Sequence, residues 1–131
     1  MANTSEIQGY LARAWQDLKA AEQILSDGFY HVTVTRSYYA MFYAAQALLL
    51  SQNVRRHRHA GVLSAFSEYL VKTGLIETEY AKLLGQTFES RLDSDYDVTF
   101  TTDLALAEQV LRDAQQFVQR TEQYLEQAGV L

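Results

Sequence analysis

The sequence predicts an all-α fold, an up-and-down bundle of about five helices. Three observations carry this. There is no Pro in 131 residues and only six Gly, so the commonest helix breaker is missing. Apolar residues recur at spacings of three and four nearly throughout, with no sustained strand-like alternation. The gaps between the periodic stretches are short, which favours antiparallel neighbours. The length suits one domain over residues 1–131.

The first helix is expected from about Thr4 to Leu25, with Ile7, Leu11, Ala14, Leu18, Ala21 and Leu25 as its apolar stripe. Asn3 with Glu6 resembles a capping box at its start, and Gly28 ends it. The second is expected from Val32 to Ser51. Arg36 is its single charged residue amid "SYYAMFYAAQALLL". A helix apolar nearly all round is either central in its own domain or shared with a partner. In a bundle this small, a homodimer is the simplest expectation. The third should run from Ala60 to Lys72 and stop at Gly74. The fourth should run from Glu77 to Leu92, with Tyr80, Leu83 or Leu84, Phe88 and Leu92 inward. The fifth follows "TT" at 101–102 and ends before Gly129. Its inner face reads Leu104, Ala107, Val110, Leu111, Ala114, Phe117, Val118, Tyr124 and Leu125.

Composition narrows the function. Without Cys, disulfides and thiolate metal sites are excluded. The opening residues lack a signal-peptide pattern, and the apolar runs at 40–45 and 47–50 are too short for a membrane span. A cytoplasmic protein that does not enter membranes is the expectation. A net charge of −5 argues against coating nucleic acid through the whole surface. No Gly-rich phosphate loop or nucleophile elbow occurs, and no cofactor is implied.

Three places remain for chemistry. Arg36 shares a helical face with Tyr39 and Tyr43. That set can hold a phosphate, satisfy a carboxylate such as Asp95, or merely snorkel to solvent. "RRHRH", residues 55–59, sets Arg55, Arg56 and Arg58 in a compact basic patch whose guanidinium forks suit phosphate oxygens. His57 and His59 lack a third ligand, so no metal is expected. His59 is also placed for a functional imidazole. "RLDSDYDV", residues 91–98, sets Arg91 four residues before Asp95 and beside Tyr96. A local ion pair is the plain explanation. The Asp cluster opposes the dipole at a helix C-terminus, which marks the segment as a candidate site.

"RSYYAMFYAAQALLL", then "RHAGVLSAFSEYLVKTGLI", then "FESRLDSDYDV" resemble the HEPN domain over nearly the whole chain, closest to its small stand-alone prokaryotic branch. The resemblance implies an all-α homodimer, often encoded beside a minimal nucleotidyltransferase as a toxin–antitoxin pair. It also implies metal-independent ribonuclease chemistry from an Arg, four to six residues, then a His, with two copies meeting at the dimer interface. Here Arg91 matches the Arg, "LDSD" intervenes, and Tyr96 stands where the His belongs. No His follows His59, so His59 is the expected source of an imidazole. The expected catalytic set is Arg91, His59 and Tyr96. Arg36, Tyr39, Asp95, Arg55, Arg56 and Arg58 are expected to bind phosphate or ligand. Related pairs add adenylate to a Tyr near the motif, which implies Tyr96 as an acceptor. The alternative is a non-catalytic helical module that binds a nucleotide or a partner.

Overall fold

A computed structural model describes residues 3–131. They form α1 (Thr4–Ser26), α2 (Tyr30–Ser51), α3 (His59–Phe66), α4 (Thr78–Tyr96) and α5 (Leu104–Gln127). No strand occurs among them. α3 continues directly into a π-helical turn, Ser67–Val71.

α2 is the axis of the bundle. It packs against α1, α3, α4 and α5. Its buried residues, among them Tyr38, Met41, Ala44, Ala45, Leu48 and Leu49, point to all sides of the helix. This girth explains its composition. A helix surrounded by four others has little face left for charge. Each large apolar side chain buried here contributes about 1.5–3 kcal/mol. Most of the apolar surface expected to meet a second subunit is therefore covered within the chain, and only a half-buried face with Arg36, Tyr39 and Tyr43 is left.

The α1 stripe forms as expected, with Ile7, Leu11, Ala14, Leu18 and Ala21 buried. The capping box does not. The Asn3 side chain makes no cap bond; its amide donates to Asn53 Oδ1 at 3.3 Å, and Glu6 pairs with Arg55. A full guanidinium outcompetes a backbone N–H for that carboxylate. α1 closes at Gly28, whose φ of 86° favours glycine. On α4, Leu84 and not Leu83 takes the fully buried place. On α5, Leu104 is exposed, a correction to the expected inner face. It is the first residue of the helix, directly after Asp103, whose carboxylate caps Leu106 N at 2.9 Å.

One boundary matters for the site. α4 runs to Tyr96, a full turn beyond the expected end at Leu92. Asp95 and Tyr96 are therefore helical, in fixed register with Arg91.

Candidate functional site: an arginine among tyrosines

α2, α3 and α4 converge on one polar cluster at the edge of the core. α2 supplies Thr35, Arg36, Tyr38 and Tyr39; α3 supplies His59 from its first turn; α4 supplies Phe88, Arg91, Asp95 and Tyr96. Arg91 is the centre. Its Nη2 donates to the Tyr39 hydroxyl at 3.2 Å and to the Tyr96 hydroxyl at 3.4 Å. Its guanidinium carbon lies 5.4 Å from the Tyr96 ring, 5.5 Å from Tyr39 and 5.8 Å from Tyr38. Cations are attracted to aromatic faces at such distances. Nε sits 3.0 Å from Asp95 Oδ2 but is not aligned for a hydrogen bond, so that contact is Coulombic. Asp95 is held from the other side by Thr35 Oγ1, which donates to Oδ1 at 2.7 Å. Nη1 makes no hydrogen bond to a described residue.

His59 closes the aromatic wall. Its ring stacks on Phe42 at 4.5 Å and faces Phe88 at 5.8 Å. Nδ1 lies 2.6 Å from the Tyr38 hydroxyl. Burial, aided by the charge of Arg91, holds the imidazole pKa below its ordinary value. Burial pushes the Tyr38 phenol well above its ordinary range. The phenol therefore keeps its proton, and Nδ1 is its one hydrogen-bond partner among the described residues. Where Tyr38 donates to Nδ1, Nε2 carries the ring proton; where Nδ1–H donates to the phenol oxygen, Nε2 holds the lone pair. In either tautomer the lowered pKa favours the uncharged ring at neutral pH.

Arg36 approaches the same Tyr39 ring, its guanidinium carbon 5.2 Å from the centroid. The two cations expected to converge thus share one aromatic ring, but each has its own carboxylate. Arg36 Nη1 lies 3.5 Å from Asp17 Oδ1. Asp17 is buried, and Arg13 Nε stands 3.7 Å from its other oxygen, too far for a hydrogen bond. Burial raises the Asp17 pKa, opposed by the charges of Arg36 and Arg13. Sequence reasoning missed Asp17 and Thr35. The signal for Asp17 was there: an acid between Ala14 and Leu18, inside the α1 stripe.

The basic loop does not join this cluster. Arg55 grips Glu6 with two bonds of 2.5 and 2.7 Å, which keeps the Glu6 carboxyl below its usual pKa. Arg56 Nη1 donates to the Arg55 carbonyl at 2.7 Å. Arg58 precedes α3 and is exposed. None of the three makes a hydrogen bond or ion pair with Arg91, Tyr39, Asp95 or Tyr96. Among the described residues no three His, Cys, Asp or Glu side chains group to hold a metal. No helix there is long and apolar enough to cross a membrane.

A family model described as the HEPN domain matches residues 7–124. Two proteins of Methanocaldococcus jannaschii, each bearing the name "Putative toxin", are similar along most of their length. One is 31% identical over 96% of this chain and 86% of its own. The other is 34% identical over 93% of this chain and 90% of its own. A Thermotoga maritima UPF0332 protein is 33% identical over 92% of this chain and 91% of its own.

Proposed function

The chain belongs to the HEPN family, and from that premise we propose that it is the toxin-like component of a toxin–antitoxin pair, acting on RNA in the cytoplasm through the Arg91 pocket as a homodimer. The partner proposed is a minimal nucleotidyltransferase. The observation that carries this is Arg91, immobilised on Tyr38, Tyr39 and Tyr96 with Nη1 unengaged. A guanidinium held in this way meets a phosphate oxygen with little further ordering. Relatives named as toxins support the coarser part of the reading.

In the proposed chemistry, Arg91 neutralises charge that develops on the scissile phosphate. His59, in the tautomer with its proton on Nε2, is suited to donate a hydrogen bond to phosphate or ribose. Tyr96 is 69% exposed with its hydroxyl beside Arg91, and it is the proposed adenylate acceptor. Its phenol oxygen attacks the α-phosphorus of a nucleoside triphosphate; pyrophosphate leaves and the phenol proton goes to solvent.

The test is direct. Chelator-treated protein is incubated with transfer and messenger RNA. Wild type should cleave, and Arg91→Ala should be slower by about a hundredfold or more. Intact RNA with wild-type protein would end the nuclease reading. Separately, incubation with ATP and the neighbouring nucleotidyltransferase should add adenylate mass to wild type but not to Tyr96→Phe.

A specific observation favours a second reading. His59 Nδ1 is already engaged by the Tyr38 hydroxyl, and its pKa is lowered, so it is poorly set to take a proton. A pocket that binds RNA or nucleotide without cutting it fits that state. Binding of RNA by wild type, lost in Arg91→Ala and unaccompanied by cleavage, would select it.

A further inference from the structure

One end of the bundle is unlike the rest of the surface. The α1–α2 turn and the α4–α5 loop meet there and enclose an open hollow of about 560 Å³. Phe29, Val98 and Phe100 line it, and all three are exposed; Val98 is 98% so. Tyr96 and Leu104 flank it and are exposed as well. Apart from Leu131, every large exposed apolar side chain among the described residues lies at this end. Scattered surface apolar residues need no explanation; a concentrated patch does.

The loop that presents them is pinned. Asp97 Oδ1 accepts from Thr99 N at 2.9 Å and from Thr99 Oγ1 at 2.6 Å. Phe100 N donates to Asp97 O at 3.0 Å, and the Ser94 and Thr102 hydroxyls meet at 2.8 Å. Val98 therefore stands on a turn fixed at both sides, already ordered before anything binds.

Charge selects the occupant. Asp97 lines the hollow, and Asp27, Asp93 and Asp103 each stand next in sequence to a lining residue; all four are exposed. The residues that line the hollow include no Lys or Arg, and His31 is their one basic side chain; Arg91, which reaches Tyr96 beside it, is paired with Asp95. RNA phosphates and an anionic membrane would face those carboxylates unfavourably. A second copy docked by a two-fold axis would set the same Asp residues against themselves. We propose that this end of the bundle docks a partner protein that presents a bulky apolar side chain flanked by Lys or Arg. The occupant would sit next to Tyr96, but the proposal does not depend on the RNA or adenylate readings.

A phage-displayed random peptide library, panned on the full chain, tests this. Enriched peptides should combine an aromatic or branched apolar residue with nearby Lys or Arg. Their affinity should fall about tenfold or more in the Val98→Ser/Phe100→Ser double variant and weaken as salt is raised. Asp93→Lys, a change on an exposed position, should weaken them too, with thermal melts confirming that each variant folds. Failure to enrich any peptide, enrichment of peptides without basic residues, or binding that survives the double substitution overturns the proposal. So does wild-type self-association that the double variant abolishes, which would make a second copy the occupant. Photocrosslinks from RNA to Phe100 would overturn it equally.

Discussion

Arg91 and Arg55 each find a carboxylate, Asp95 for one and Glu6 for the other, yet the fold treats them differently. The Arg91 side chain is 12% exposed and Arg55 is 50% exposed. Arg55 has the shorter contacts to its acid. Arg91 has what Arg55 lacks, three tyrosine rings within 6 Å and two phenol acceptors. The difference teaches that local charge density does not make a site. The "RRHRH" loop carries more cations, but Arg55 is turned to Glu6 and Arg56 to the Arg55 carbonyl, with no aromatic ring stacked on either guanidinium among the described residues. In the α2–α4 cluster a single guanidinium is aimed by aromatic walls that belong to the hydrophobic core.

If that is so, the largest effect comes from the wall. Tyr38 is fully buried and touches Tyr39, Phe42, His59 and Phe88. Tyr38→Ala should cost about 3–5 kcal/mol in urea unfolding and should release Arg91. Arg56→Ala, in the exposed loop, should stay within about 0.5 kcal/mol of wild type. Equal losses at the two positions would erase the contrast.

The next effect separates charge from aim. Arg91→Lys keeps the cation but loses the planar fork that stacks on the rings. Binding of a short single-stranded RNA, followed by calorimetry, should weaken by about 1.5–3 kcal/mol in Arg91→Ala, and Arg91→Lys should recover little of it. Arg55→Lys should bind as wild type does. Full recovery by Lys at position 91 would mean that the rings contribute nothing to recognition.

Much of the fold was legible because helical periodicity is local. The α1 stripe and the glycine stops can be seen in spacing alone, whereas the charge-poor α2 left a central place and a shared one both open. Residues 91–96 were marked by an Asp cluster at a helix end, and His59 by its position before small residues. The misses were long-range. Glu6 left its capping role because Arg55, 49 residues away, offers a stronger bond. Asp17 joined Arg36 from another helix. The extra turn of α4 holds because Thr35 on α2 anchors Asp95, a contact between residues 60 apart. That the basic loop stands apart from the pocket depends on where the chain turns after α2, and composition does not encode that.

The smallest predicted effect is also the most diagnostic of the wall, because it reads the hydrogen bond between Tyr38 and His59 alone. The folded pKa of His59 lies below the unfolded value of 6.5, so the unfolded chain binds the extra proton first on acidification. Stability should therefore rise with pH across the window between the lowered folded pKa and 6.5, and be lost as pH falls through it. Burial and the charge of Arg91 set the depression; a phenol that donates to Nδ1 favours the neutral ring further, and Tyr38→Phe takes that donor away. The variant should lose about 1 kcal/mol at neutral pH, its His59 pKa should move up by NMR titration, and its pH slope should flatten. Were the tautomer reversed, with Nδ1 donating to the phenol oxygen, Nε2 would hold the lone pair and face a ligand as a base. Nitrogen chemical shifts of the imidazole distinguish the two forms. An unprotonated Nε2 in the folded protein at neutral pH would return His59 to the role of proton acceptor and restore weight to cleavage over binding.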